Sequence, residues 1–166
     1  MKLMIASDIH GSAFWCGKLL EAFRVEKPDK LLLLGDYLYH GPRNPLPDGY
    51  DPKSVAEMLN AVSDSLVCVR GNCDSEVDQM VLDFPCMAEY AVLMADGKVI
   101  IASHGHLPHP KPKAGEILVT GHTHVTLHAE EEGYTHLNPG SVSLPKDGTP
   151  RGYIIIENGV TAFKTL

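Results

Sequence analysis

The sequence lacks three features that would place it in a specialised class of proteins. Its apolar runs, such as Leu31–Leu34 and Val99–Ala102, hold only four residues, far fewer than the roughly 20 of a membrane-spanning helix. Its four cysteines form no CxxC pair and no spacing typical of a disulfide framework. It also has no excess of basic residues, with 14 against 21 acidic ones and a net charge of −7. A broad cationic surface for nucleic acid is therefore excluded.

These absences define the expected setting of the protein. Asp8 interrupts the first apolar stretch, so we expect no signal peptide, and reduced thiols then favour a cytoplasmic location. We expect no membrane partner and no stable nucleic-acid complex. The length of 166 residues and the 44% hydrophobic composition predict one globular domain over residues 1–166. Whether the chain forms a homo-oligomer is left open.

The two halves of the chain differ in their hydrophobic pattern. The first half alternates short apolar runs with helical spacing, which predicts a βαβαβ unit with a parallel sheet. The second half carries three two-residue hairpin signals and predicts a largely antiparallel second sheet. The signals are Asp96-Gly97, Glu132-Gly133 and Asn158-Gly159. We expect the two strand-rich halves to pack as one sandwich, with a proline-rich loop over Leu107–Gly115.

Polar residues follow directly after five of the predicted strands. Each of the five exits carries Asp, Asn or His, and five of the nine histidines of the chain lie there. Any one cluster is most simply a solvated loop, but five such exits are not expected by chance. Ligands gather at the carboxyl ends of strands in α/β sheets, so we expect these groups to converge. They are Asp8, His10, Asp36, Asn72, His104, His122 and His124.

The donor set indicates a metal centre. Carboxylate, amide and imidazole donors without a thiolate suit Mn²⁺, Fe²⁺, Zn²⁺ or Ni²⁺. The charge of two divalent ions exceeds that of the two carboxylates, Asp8 and Asp36. Such a site attracts an anionic phosphate and keeps a nucleophile ionised near neutral pH.

These motifs resemble those of a known family. Asp8-x-His10, Gly35-Asp36, Gly71-Asn72, Ser103-His104-Gly105 and Gly121-His122-Thr123-His124 are similar in order and type to those of the calcineurin-like metallophosphoesterases. Among these the chain most resembles the small YfcE-type phosphodiesterases, on the further evidence of His40–Asn44, Val69–Met80 and Asn138–Ser141. The resemblance covers nearly the whole chain. It implies a four-layer α/β/β/α sandwich of two mixed sheets and hydrolysis of a small-molecule phosphodiester.

The resemblance also assigns roles to residues. It implies that Asp8, His10 and His124 hold one divalent ion, that Asn72, His104 and His122 hold a second, and that Asp36 bridges both. Mn²⁺ is the first expectation, with Fe²⁺, Zn²⁺ or Ni²⁺ as alternatives. A hydroxide bridging the two ions would attack phosphorus, with Asp36, Asn72 and His104 at the centre of catalysis. Gly35, Gly71 and Gly121 would allow tight turns beside the ions.

Other polar residues near these motifs have weaker assignments. Cys73 stands where larger relatives carry the histidine that protonates the leaving group. A thiol is a poor donor for this purpose, which favours diesters with good leaving groups. His40 and Arg43 are candidates for contact with the substrate phosphate, and His106 for a supporting or proton-donating role. Arg70 either contacts phosphate or forms a structural salt bridge. No role is expected for His109, His128 and His136.

Two alternatives to a phosphodiesterase remain at this point. A phosphomonoesterase or nucleotide pyrophosphatase would use the same site on another substrate. A non-catalytic, retromer-type binding scaffold would use the same fold without chemistry. The complete ligand set favours an enzyme.

Overall fold

Two five-stranded β-sheets pack face to face in the computed structural model, which describes residues 1–166. The chain contributes ten strands: β1 (Leu3–Ala6), β2 (Lys30–Leu33), β3 (Leu66–Cys68), β4 (Tyr90–Ala95), β5 (Lys98–Ser103), β6 (Ile117–Val119), β7 (Thr126–Glu131), β8 (Tyr134–Pro139), β9 (Gly152–Glu157) and β10 (Val160–Thr165). The first sheet has the order β10-β9-β1-β2-β3 and the second β4-β5-β6-β8-β7. The predicted class, a sandwich of two mixed sheets, is confirmed.

Helices occur only in the first half of the chain. They are α1 (Ala13–Glu26), α2 (Pro52–Asn60), the single turn α3 (Glu76–Gln79) and a 3₁₀ turn (Ser63–Ser65). Ser12 accepts a hydrogen bond from Trp15 N at the start of α1, and Asp51 accepts one from Ser54 N at the start of α2. These side chains satisfy backbone donors that a helix leaves free at its first turn. No helix is both long and apolar enough to cross a bilayer.

Two hydrophobic clusters form the core. One lies between the first sheet and the helices and includes Leu19, Leu31 and Leu59. The other lies between the two sheets and includes Ile5, Ile100 and Val119. No helix follows β4, so the structure has helices against the first sheet only, and the fourth, helical layer that the resemblance implies outside the second sheet is not formed.

The prediction of a largely antiparallel second sheet is wrong. β5, β6 and β8 run parallel to one another in that sheet, and only its outer pairs are antiparallel. The β9–β10 hairpin belongs to the first sheet, where β9 pairs with β1. The cause is burial on both faces of β9: Ile155 packs in the helix-side cluster, while Ile154 and Ile156 pack between the sheets. A strand of the first sheet offers both environments, because helices cover one of its faces and the second sheet covers the other.

The three hairpin turns have the geometry that their sequences predict. Both central residues of each turn have left-handed φ angles: 51° and 78° at Asp96-Gly97, 44° and 90° at Glu132-Gly133, and 52° and 74° at Asn158-Gly159. A turn of this kind matches the twist of the flanking strands. Glycine at its second position avoids the penalty that a Cβ meets at positive φ.

Two glycine substitutions should therefore change stability in opposite directions. A Cβ at Gly17 or at Gly159 would meet no heavy atom within 4 Å, and only Gly159 has a positive φ. Gly159→Ala should lower the free energy of unfolding by about 1–2 kcal/mol. Gly17→Ala, in the interior of α1, should raise it by about 0.5–1 kcal/mol. Urea denaturation of both variants measures the difference, and shifts of equal sign would contradict this assignment.

Candidate metal centre

Backbone hydrogen bonds join the loops that follow the strands of both sheets. Asp8 N donates to Gly35 O at 3.2 Å and His10 N to Asp36 O at 2.9 Å, which ties the β1 exit to the β2 exit. Gly121 N donates to His104 O at 3.1 Å, which joins the β6 exit to the β5 exit. The five polar strand exits therefore meet at one end of the sandwich, as the sequence predicts.

The backbone at these exits is unusual. Five of the seven predicted ligands have φ in the left-handed region: 58° at Asp8, 49° at His10, 57° at Asp36, 68° at His122 and 62° at His124. Residues with a Cβ seldom adopt this conformation, and where they do the strain is typical of functional sites. At Asp8, His10 and His124 the left-handed backbone accompanies side chains whose polar atoms lie close together.

Two glycines leave room for the carboxylates. A Cβ at Gly71 would overlap the carboxylate of Asp36, and a Cβ at Gly121 would overlap the hydroxyl of Ser7 and lie 2.9 Å from Asp8 Oδ2. Of the three glycines predicted to permit tight turns, only Gly35 has a positive φ, at 102°. At Gly71 and Gly121 the lack of a Cβ instead lets Asp36 and the Ser7–Asp8 segment pack closely against the backbone. The prediction that these two glycines are needed for tight turns is therefore wrong.

Asp8, His10 and His124 form the tightest group. Asp8 Oδ1 lies 3.1 Å from His124 Nε2 and 3.4 Å from His10 Nε2, and the two Nε2 atoms are 3.0 Å apart. All three side chains are buried. Asp8 Oδ2 accepts hydrogen bonds from Ser7 Oγ and His122 N, whereas the buried Oδ1 accepts none. A buried carboxylate oxygen without a donor suits a bound cation.

Asp36 lies between this group and a second one. Its Oδ2 is 3.6 Å from His10 Nε2 and 3.5 Å from His104 Nε2, while its Oδ1 accepts a hydrogen bond from Cys73 N. Asn72 Oδ1 lies 3.1 Å from His104 Nε2. This placement suits a carboxylate shared by two ions.

The other ring nitrogen of each buried histidine is held by a backbone carbonyl. His10 Nδ1 pairs with Tyr39 O at 2.8 Å, His104 Nδ1 with Leu34 O at 2.6 Å and His124 Nδ1 with Leu144 O at 2.6 Å. A carbonyl accepts only from N–H, which fixes the proton on Nδ1 and leaves the Nε2 lone pair free. This is the usual support of a metal-binding imidazole. The oxygen and nitrogen donors fit a divalent ion such as Mn²⁺ or Zn²⁺.

The pKa values reflect a buried site of competing charges. Burial alone would lower the pKa of His104, but a hydrogen bond with Asp36 and the charges of Asp8 and Asp36 raise it to about 9. Burial alone would raise the pKa of Asp8, but the adjacent imidazole groups of His10 and His124 hold it well below its usual range. Without a metal, protons on imidazole balance the carboxylates.

His122 and His106 lie at the edge of this arrangement. Their rings are 5.1 Å and 5.2 Å from the ring of His104, and neither ring nitrogen bonds to Asp8 or Asp36. Burial, followed by the charge of His104, lowers the pKa of both. Neutral imidazoles at this rim can accept an ion or a proton.

A cleft of about 490 Å³ opens onto the site. It is lined by Asp36, Arg43, Asn44, Pro45, Asn72, His122, Thr123, His124 and Lys146. Arg43 is thus placed where the sequence predicts. His40 does not line it, because its ring packs against Tyr39 and Tyr50. Cys73 lines a neighbouring cleft; burial and the charge of Asp36 raise the pKa of its thiol to about 12, so it stays protonated.

Sequence reasoning missed Asp74 as a support of the site. Its carboxylate is buried and accepts backbone hydrogen bonds from Asp36 N, Tyr37 N and Gly71 N at 2.7–2.9 Å. Burial and the charge of Asp36 raise its pKa to about 7. Its place two residues after Asn72 was the available signal, but two of its three partners, Asp36 and Tyr37, are 38 and 37 residues away in the chain.

Binding of a metal should release a proton. The Nε2 lone pair of His104 must be free to bind an ion, and a pKa of about 9 keeps most of this residue protonated at about pH 8. We therefore expect Mn²⁺ to displace about one proton per chain at that pH, and its affinity to rise with pH until about 9. Calorimetry in two buffers of different ionisation enthalpy measures the release.

The control for this experiment is a histidine outside the site. His128 is exposed on β7 and stacks on Phe163, so His128→Asn should release the same number of protons. An affinity that does not change between about pH 6.5 and 9 would contradict the assignment of the proton to His104.

Comparison with known proteins agrees with this geometry. Residues 1–159 match the calcineurin-like phosphoesterase superfamily domain. Phosphodiesterase YfcE of Escherichia coli K12 is 46% identical over 164 residues, which cover 96% of this chain and 89% of that protein. The structure of YfcE from E. coli superposes with a TM-score of 0.96 at 44% identity, covering 99% of this chain and 93% of that one.

A distant structure extends the likeness of fold. An archaeal phosphodiesterase superposes with a TM-score of 0.73 at 18% identity, with full coverage of both chains. The family match over nearly the whole chain, together with the identity to YfcE, settles the classification: the protein belongs to the calcineurin-like phosphoesterase superfamily.

Proposed function

We propose that the protein is a metal-dependent phosphodiesterase with a two-ion centre. Asp8, His10 and His124 would hold one ion, Asn72, His104 and His122 the other, and Asp36 both. The observation that carries this proposal is the unpaired Oδ1 of buried Asp8. It faces histidine Nε2 atoms whose lone pairs are freed by backbone carbonyls on Nδ1. Mn²⁺ is the proposed ion, with Fe²⁺, Zn²⁺ or Ni²⁺ as alternatives.

Bound divalent ions supply an ionised water as nucleophile and neutralise charge on the phosphate. The protein's own contribution is to fix the ligands and to orient the substrate. Arg43, in the segment after β2, and Lys146, in the segment after β8, both line the cleft. Neither belongs to any of the ion pairs of the protein. These two positively charged side chains, which have no ionic partner, favour the binding of an anionic ester at the mouth of the site. They do so although the net charge of the chain is −7.

The surroundings of the leaving group favour diesters that need little protonation. The Cys73 thiol, with a pKa raised to about 12, carries no positive charge and donates its proton poorly. The lowered pKa of His106 keeps that ring neutral near pH 7 as well. Diesters with acidic alcohols or phenols as leaving groups fit this site best. The relative with 46% identity is named a phosphodiesterase, which supports the same class.

The proposal predicts hydrolysis of bis(4-nitrophenyl) phosphate in the presence of Mn²⁺. Asp36→Asn keeps the size of the side chain but removes the charge placed between His10 and His104. It should lower kcat/KM at least about 100-fold, because a lost metal ligand removes several kcal/mol of transition-state stabilisation. Release of 4-nitrophenolate measures the rate.

Asp83→Asn provides the matched control, since Asp83 is exposed and forms no ion pair. It should retain the activity of the unaltered protein. Equal activity in Asp36→Asn, or activity that survives thorough chelation, would contradict a metal-centred reaction. A protein that binds Mn²⁺ yet hydrolyses no phosphoric ester would instead support the scaffold alternative.

A further inference from the structure

A second cleft adjoins the one above the metal centre. Its volume is about 500 Å³, and its lining comprises Tyr39, Gly41, Pro42, Arg43, Asn44, Arg70, Asn72, Cys73, Asp74 and Ser75. Arg43, Asn44 and Asn72 line both clefts. The second cleft is therefore continuous with the candidate metal centre through the side of Asn72, and a substituent of a bound ester can extend into it.

Arg70 is the distinctive residue of this second cleft. The side chain is half-buried, and its Nε donates to the backbone carbonyl of Asp74 at 3.3 Å. It forms no salt bridge, so the structural ion pair considered from the sequence is not present. A guanidinium carries five N–H donors, and the four on the terminal nitrogens have no acceptor within the protein.

No acidic group in the cleft offsets the charge of Arg70. The carboxylate of Asp74, which also borders this cleft, accepts hydrogen bonds from the backbone of Asp36, Tyr37 and Gly71 and forms no ion pair with Arg70. Arg43, on the wall shared by the two clefts, also has no ionic partner. Two uncompensated guanidinium groups thus border one cavity, together with the hydroxyl-bearing side chains Tyr39 and Ser75.

We propose that this cleft is a subsite for a second phosphate, and that Arg70 selects phosphodiesters in which one substituent carries it. The inference rests on the proposed phosphodiesterase function. Guanidinium groups match the oxygens of phosphate in pairs of parallel hydrogen bonds. Arg70, together with Arg43 on the wall shared by the two clefts, matches the charge of a dianionic phosphate better than that of a carboxylate. The reacting phosphate does not explain Arg70, because Arg70 does not line the cleft above the metal centre.

A pair of esters that differ only in the second phosphate tests this subsite. Thymidine 5′-(4-nitrophenyl phosphate) and its 3′-phosphorylated form release the same 4-nitrophenolate. With the Mn²⁺-loaded protein, the 3′-phosphorylated ester should have a kcat/KM about 10–100 times higher, as expected for charge-assisted hydrogen bonds. Arg70→Gln should bring the ratio of the two kcat/KM values to within about threefold of one.

Arg24→Gln is the matched control, because Arg24 is exposed in the last turn of α1, and it should keep the ratio of the unaltered protein. Should Arg70→Gln fail to fold, Arg70→Lys keeps the charge without the paired donors, and its ratio should fall severalfold. Retained proton release on binding Mn²⁺ shows that a variant is folded.

The outcomes separate the subsite from the function on which it rests. Hydrolysis of both esters at equal kcat/KM by the unaltered protein would overturn the subsite while leaving the phosphodiesterase intact. A high ratio that persists in Arg70→Gln would overturn the role of Arg70. Hydrolysis of neither ester, nor of bis(4-nitrophenyl) phosphate, would overturn the proposed function itself.

Discussion

The lone pairs of three acceptor atoms, Asp8 Oδ1 and the Nε2 atoms of His10 and His124, meet in one buried space. The surrounding structure is organised around this arrangement. Asp8 Oδ1 accepts no hydrogen bond, and the Nε2 atoms of His10 and His124 stand 3.0 Å apart beside it. Such an arrangement is unfavourable unless a cation or added protons occupy it. The charges of Asp8 and Asp36 raise the pKa of His104 for the same reason: they favour a positive charge between them.

The surrounding structure can be understood as support for that arrangement. Left-handed backbone at the strand exits carries the strain, and the two packed sheets hold the exits in place. Asp74 secures three backbone donors beneath Asp36, and the hydroxyls of Ser141 and Ser143 donate to Asp8 O on the opposite side. Rigid support of this kind keeps ligands at fixed separations without an ion to organise them.

Signals from neighbouring residues in the sequence predicted the local features of the fold. Features that depend on contacts between distant parts of the chain could not be predicted in this way. The cap at Asp51 and the turn at Asn158-Gly159 depend on a few neighbouring residues, so they could be identified directly. Strand exits indicated the seven candidate site residues, because parallel strands end together. The position of β9 beside β1 and the contacts of Asp74 depend on residues far apart in the chain. Pattern alone also could not show that Arg70 has no ionic partner.

The binding of two divalent ions by these residues can be tested directly. The experiment is anomalous X-ray scattering from crystals of the protein grown with Mn²⁺. We predict two manganese peaks at the carboxyl ends of the strands. One should lie among Asp8, His10 and His124, the other beside Asn72, His104 and His122, with the Asp36 carboxylate between them. Absence of manganese from this cluster at saturating Mn²⁺, or one ion only, would contradict the account.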